Sequence, residues 1–264
     1  MVGQARRNPR IAHCHRAGRR RHRHHVLCRR RRGVAARAPV TKSRYVHALA
    51  LGLDPAWRRQ AKDERCRSAE AFCAAATSQS GVTTFAYSMI GLKAGVDVLL
   101  WSLSPSLEAL EERTAGVLRA GMGTWMTARY TFLGMIKPSQ YVKRPTSQEQ
   151  SLFEGERSAY LIVYPFTKST DWYLLTQEQR QNVMNEHMKV GHGYKQVRQL
   201  LAYSFGVDDM DFLVAYETDD LPAFGELVRD LRGTESRRST VRDTPILAGI
   251  HRPIAEITRL LGAE

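Results

Sequence analysis

Four side chains between Val163 and Gly206, in the stretch "VYPFTKSTDWYLLTQEQRQNVMNEHMKVGHGYKQVRQLLAYSFG", are of chemically active types in places an ordinary core does not need them. On a helix, Val183, Met184, His187 and Met188 share one face, which directs His187 inward among methionine and valine. A neutral imidazole on a rigid helix, set in an apolar wall, can ligate the iron of a porphyrin. A core histidine with a satisfied hydrogen bond is the other reading of the same spacing. His192 follows the expected C-cap Gly191 and reads as an exposed loop residue, or as one that holds the helix end.

The strand "VRQLLAY" places Gln199 on the same side as Val197 and Leu201, with Arg198 and Leu200 on the other. A lone amide on an apolar face costs stability unless something bonds to it, whether a ligand or a backbone group. In "YPFTK", Tyr164 ends a strand, Pro165 is expected to stop the ladder, and Lys168 returns after a short turn. A phenol and an ammonium brought together suit an anionic substrate and one-electron chemistry, though a strand terminus with a solvated lysine has the same residues. The chain has no glycine-rich phosphate loop, GxSxG, HExxH or paired-cysteine set, so nucleotide, hydrolase and zincin chemistry lack support.

These residues need elements to hold them, and the sequence supplies a repeated order. "RYVHALALGL", "GVTTFAYSMIGL", "DVLLWSLS" and "ARYTFLGMIK" read as strands, with helices starting near Asp63 and after Ser106. In the second half "AYLIVYPF", "VRQLLAYSFG", "DFLVAYETD" and "TPILAGIHR" read as strands. Helices there run through "TQEQRQNVMNEHMKVG", N-capped by Thr176, and "LPAFGELVRDLRG". Each half is β-α-β-β-α-β, the split βαβ arrangement, so the expected fold is α+β: duplicated ferredoxin-like halves forming a dimeric α+β barrel. The expected boundaries are a basic extension over 1–42, a first half over 43–143, a connection over 144–158 and a second half over 159–264 that carries the site.

The 264 residues carry a net charge of +14, yet that charge is local. Met1 to Lys42 hold thirteen Arg, one Lys and no acidic residue, and beyond them the basic and acidic residues balance. Nucleic-acid binding is therefore not expected of the folded part, and the low-complexity extension reads as disordered. Its histidines and cysteines lack structural-zinc spacing. No apolar run approaches a membrane span, no secretory signal is visible, and Cys66 and Cys73 sit too far apart on one helix for a disulfide. A cytoplasmic location is expected.

Taken in order, "YPFTKSTDWYLL", "NEHMKVGH", "YSFGVDDMDFLVAYETDD" and "LRGTESRRSTVRDTPI" resemble the chlorite dismutase-like haem proteins, and among them the coproheme decarboxylase branch. "LDPAWRR", "AYSMIGLKAGVDVLLWSLSPSLEAL" and "RYTFLGMIKPSQYV" fit the same family, so the resemblance spans roughly Arg44 to Arg252. It implies the duplicated barrel and a set of roles. His187 is the axial iron ligand, Tyr164 the radical-forming tyrosine, and Lys168 the lysine near the reacting propionate. Tyr164, Pro165, Phe166, Thr167, Lys168 and Gln199 contact the substrate, Gln199 from the distal side where chlorite dismutases proper place an arginine. Glu235 is placed as a partner of the His187 ring. Phe166 and Arg237 stand where other members carry methionine and serine.

The activity so implied is peroxide-dependent decarboxylation of two propionates of Fe-coproporphyrin III (coproheme), giving haem b through a tyrosyl radical. Coproheme and hydrogen peroxide are the partners, and the porphyrin is both substrate and redox centre. Chlorite decomposition on haem b, or haem binding and transfer without catalysis, are the alternatives. Relatives assemble as pentamers, so a homo-oligomer is expected.

Overall fold

In a computed structural model the described residues are 44–77, 81–138, 141 and 156–264. The basic extension and most of the connection, with the expectations attached to them, lie outside this set. Among the described residues there are nine strands: β1 (Arg44–Leu53), β2 (Thr83–Lys93), β3 (Val96–Ser104), β4 (Met126–Ile136), β5 (Tyr160–Lys168), β6 (Arg198–Tyr203), β7 (Phe212–Thr218), β8 (Thr240–Arg242) and β9 (Leu247–His251). Six α-helices of the described residues accompany them: α1 (Lys62–Thr77), α2 (Leu107–Arg119), α3 (Thr170–Leu174), α4 (Gln177–His192), α5 (Leu221–Arg232) and α6 (Ile254–Thr258).

The strands close on themselves. The sheet runs β7-β6-β4-β1-β3-β2-β9-β5, and a β5–β7 pairing joins its ends into a barrel of eight, with β8 appended to the tip of β5. Within the first half the order is β4-β1-β3-β2, and within the second β9-β5-β7-β6, the same path through four strands. The β2–β9 and β4–β6 seams between halves are short, with two and one aligned pairs respectively.

Closure gives every strand an inner and an outer face by its two-residue alternation. Val46, Ala48 and Ala50 of β1, Leu161 and Val163 of β5, Leu200 and Ala202 of β6, and Leu213 and Ala215 of β7 fill the barrel. The opposite rows face helices. On the first half, Leu49, Leu51, Val98 and Leu100 pack beneath Phe72 of α1, with Trp57, Met122 and Ile257 of α6 closing the space. On the second half, Ile162, Val197, Val214 and Tyr216 look outward toward α4 and α5.

Two expectations need correcting. The β5 ladder does not stop at Pro165: Pro165 and Phe166 stay in register with Leu213 and Phe212, and Thr167 and Lys168 pair with β8. Pro165 is tolerated because β9 has ended opposite Val163 and β8 begins only at Thr167, so no ladder bond is missed on that edge. Helix α4 likewise runs through Gly191 and His192 to a C-cap at Gly193. Its start is as expected, with Thr176 and Gln179 forming a reciprocal capping box worth about 1 kcal/mol.

Candidate functional site

A pocket opens between the outer face of the second half and α4, with about 1370 Å³ of atom-free space including its mouth. The pleat of β5 decides which candidates reach it. Tyr164, Phe166 and Lys168 line it, whereas Pro165 and Thr167 alternate to the other side and are not among the lining residues. Register across the sheet completes that wall: Val214 lies opposite Tyr164 on one side and opposite Leu201 on the other, and Tyr216 opposite Gln199. Helix α4 contributes Met184, His187 and Met188, and α5 contributes Val228, Leu231 and Arg232.

His187 is oriented by a chain of hydroxyls whose protons can be counted. Thr234 Oγ1 donates to the Leu231 carbonyl at 2.7 Å, which commits its proton. Ser236 Oγ, 3.0 Å from Thr234 Oγ1, must then donate to it. Ser236 has no proton left for His187 Nδ1, 3.0 Å away, so Nδ1–H is the donor and the tautomer follows. Nε2 is left with its lone pair. Burial, helped by the Lys168 charge, lowers the imidazole from 6.5 to about 4, so the ring is neutral at physiological pH. A neutral imidazole with Nε2 unprotonated is the form that binds a metal.

The partner of that ring is therefore Ser236 and not Glu235. Glu235 is exposed, its carboxylate pairs with Arg238 at 2.9 Å, and its backbone N–H donates to Glu186. Glu235 starts a short 3-10 turn, Glu235–Ser239, which presents the next residue, Ser236, to the helix.

Tyr164 lies half-buried beside a second phenol. Its ring stacks on Tyr216 with centroids 6.1 Å apart. Burial, with Tyr216 and then Asp243 adding to it, holds the Tyr164 phenol well above its ordinary value. Lys168 is no solvated terminus, being only 8% exposed. Its Nζ donates to the Ser236 carbonyl at 2.7 Å and lies 4.5 Å from the centre of the Trp172 ring. Burial, reinforced by Arg237, lowers it from 10.5 to about 8, within reach of proton exchange near neutrality.

Gln199 lines the pocket half-buried, and Arg198 does not reach it. The Arg198 guanidinium turns to the opposite face, where it binds Glu217 at 2.8 Å and the Ser158 hydroxyl at 2.8 Å. Glu217 also accepts from Tyr87 at 2.7 Å, so the arginine is tied into a buried network. His192 is exposed in the last turn of α4 and stands at the pocket mouth. Arg237, lining the pocket, is paired with Asp243 at 2.6 Å.

Sequence reasoning missed Ser236, Tyr216 and Trp172. Ser236 and Trp172 reach the site through short helical turns without periodic pattern. Tyr216 was legible as an outward residue of "DFLVAYETD", but its place opposite Gln199 depends on register.

Comparison with known proteins identifies the family and the fold. Residues 60–252 match the family model described as chlorite dismutase. A coproheme decarboxylase of Mycolicibacterium smegmatis is 32% identical over 165 residues, covering 62% of this chain and 70% of that protein. A chlorite dismutase of Candidatus Nitrospira defluvii, solved as a variant with an arginine changed to lysine, superposes with a TM-score of 0.77 at 27% identity, over 85% of this chain and 97% of that one. The same enzyme in complex with imidazole gives 0.76 at 27% identity and the same coverage.

Proposed function

The chain belongs to the chlorite dismutase-like family, and from that premise we propose that it is a coproheme decarboxylase. This would be a haem-dependent oxidoreductase converting two propionates of Fe-coproporphyrin III to vinyl groups with hydrogen peroxide, giving haem b. The observation that carries the reading is the convergence in one apolar pocket of a neutral imidazole with a free Nε2, a half-buried phenol and a buried ammonium.

The residues fit an iron porphyrin. Among the described residues no group of three or more His, Cys, Asp or Glu could cage a bare ion, and a porphyrin brings four ring nitrogens of its own. The aromatic and aliphatic walls from Phe166, Trp172, Met184, Met188, Leu201 and Val214 suit a flat apolar ring, with Arg232 and Arg237 to meet its carboxylates. When bound, the iron porphyrin draws oxidising equivalents from peroxide and carries the propionates that are lost.

His187 gives Nε2 to the iron, and Ser236 fixes the ring's tautomer and direction. Tyr164 yields an electron and its phenolic proton and returns them from the neighbouring propionate. Each propionate gives up carbon dioxide, one proton and two electrons, and one peroxide takes up two electrons and two protons to become two waters. Lys168 offsets the carboxylate charge before the loss and is poised to exchange the released proton. Gln199 offers a neutral amide. Coproheme incubated with the protein and peroxide is expected to yield a three-propionate product and then haem b by mass. In Tyr164→Phe the mass stays at coproheme; undiminished conversion removes the proposed role.

A second reading has an observation of its own: the solved structures named above are chlorite dismutases, which favours decomposition of chlorite to chloride and dioxygen on bound haem b. The position of Arg198, tied to Glu217 away from the pocket, weighs against it. Dioxygen release when chlorite meets the haem-loaded protein decides for it. A haem carrier without catalysis gives the haem spectrum and neither product. The shared strand path of the two halves is read as a duplication, and a homopentamer in the cytoplasm completes the proposal; native mass of the complex tests the assembly.

A further inference from the structure

One charged residue of the pocket has no part in the reading above. Asp243 lines it together with Arg232, Arg237 and Lys168, although a wall that meets carboxylates gains nothing from an acid of its own. Its side chain follows directly on β8 and is mostly enclosed, at 22% exposure. Asp243 Oδ2 accepts from Arg237 Nη1 at 2.6 Å, and Arg232 Nη2 stands 3.9 Å from the same oxygen. Both guanidiniums that would meet a substrate carboxylate are therefore paired with a carboxylate already present. The adjacent Arg242 is not part of the group, since it donates to the Thr244 and Asp209 carbonyls.

A second room adjoins the pocket here, with about 730 Å³ of atom-free space including its mouth. It shares Tyr164, Val228, Arg232 and Asp243 with the first, and Phe224 and Ile246 are among the residues that complete it. Asp243 thus stands on the boundary between two spaces, on the same boundary as Tyr164.

We propose that Asp243 is an internal substitute for the substrate carboxylate that reaches Tyr164. In the empty site it is the counter-ion of Arg232 and Arg237. A porphyrin propionate entering beside Tyr164 displaces it toward the second room and takes over the guanidiniums. Once that propionate has left as carbon dioxide an uncharged vinyl remains, and Asp243 returns to them. Guanidiniums in a largely apolar wall so keep a partner both before binding and after the carboxylate is gone. The exchange also holds the reacting carboxylate less tightly, so that its loss is not opposed by the contacts that bind it. The identity of the exchanged carboxylate rests on the decarboxylase reading, whereas the pairing of Asp243 does not.

The test is a titration of ferric coproheme and of ferric haem b, followed by absorbance, into the parent and into Asp243→Asn, which keeps size and removes charge. Removing the competing anion tightens coproheme binding about tenfold. Haem b binding is unmoved, because haem b presents vinyl groups where coproheme presents the reacting carboxylates. Weaker coproheme binding overturns the proposal, since Asp243 would then be holding the arginines in place for the substrate. Equal tightening of both porphyrins also overturns it, as a general effect of pocket charge. A second variant reads the exchange from the other side: Arg237→Gln weakens coproheme and leaves haem b unchanged, and a loss shared by both porphyrins counts against it. Peroxide separates this proposal from the reading it rests on. If the affinities differ as stated but the mass of coproheme never changes, the decarboxylase reading falls and the exchange stands. If haem b forms and the affinities do not move, the exchange falls and the reading stands.

Discussion

The two halves of the barrel follow the same strand path and each lays a helix of 16 residues across its outer face, but only one of those helices is fully docked. Helix α1 buries Ala69, Phe72 and Ala76, and the space beneath it is filled by Trp57, Met122 and the C-terminal Ile257 and Leu261. Helix α4 has no buried residue at all. Its inward side chains, Met184, His187 and Met188, stand half-covered over a pocket. Large side chains close one face; the other forgoes that burial, worth about 1.5–3 kcal/mol for each large apolar residue, and keeps room for a ligand. The polar groups divide the same way. The second face holds a neutral histidine bonded to Ser236, a buried lysine bonded to the Ser236 carbonyl and a stacked pair of tyrosines, the arrangement of a prepared site.

That contrast can be broken in several ways, with effects of decreasing size. Phe72→Ala in the filled face should cost about 3–5 kcal/mol in urea unfolding, while the affinity for porphyrin stays unchanged. A loss shared by both properties would mean the faces are not separate. Next, His187 sits at about 4 against an ordinary 6.5, so between those values the unfolded chain takes up a proton that the folded one refuses. Stability from this group is complete above pH 6.5 and falls as pH drops toward 4, and His187→Gln should flatten that slope. A slope unchanged in the variant would place the titration elsewhere. Smallest, Met184→Ala on the open face should cost no more than about 1 kcal/mol without ligand, because its half-covered side chain borders the open pocket. A cost matching that of Phe72→Ala would show the pocket closing on itself.

Much of this was legible in the chain. Alternation gave the strands, and the Thr176 and Ser106 caps gave the starts of α4 and α2. His187 could be assigned to an inward face because a helix repeats locally, and Gln199 to one face of its strand for the same reason. What failed was whatever depended on partners distant in sequence. Pro165 was taken to end a ladder because the position of its neighbours β8 and β9 cannot be read from β5 alone. Lys168 was allowed to be solvated, whereas the Ser236 carbonyl and the Trp172 ring enclose it. Glu235 was placed as the partner of His187, but the turn after α5 points the next residue, Ser236, inward.

The most direct test of the open face is a titration of ferric coproheme into the protein and into His187→Ala, followed by optical and electron paramagnetic resonance spectra. The expected result is a histidine-ligated ferric spectrum in the parent and, in the variant, loss of that spectrum with affinity weaker by about a hundredfold (~2.7 kcal/mol). Added imidazole should restore the spectrum by entering the vacated space. Identical spectra and affinity in the two proteins would contradict the assignment of the iron to His187, and with it the claim that α4 is held off the sheet to receive a porphyrin.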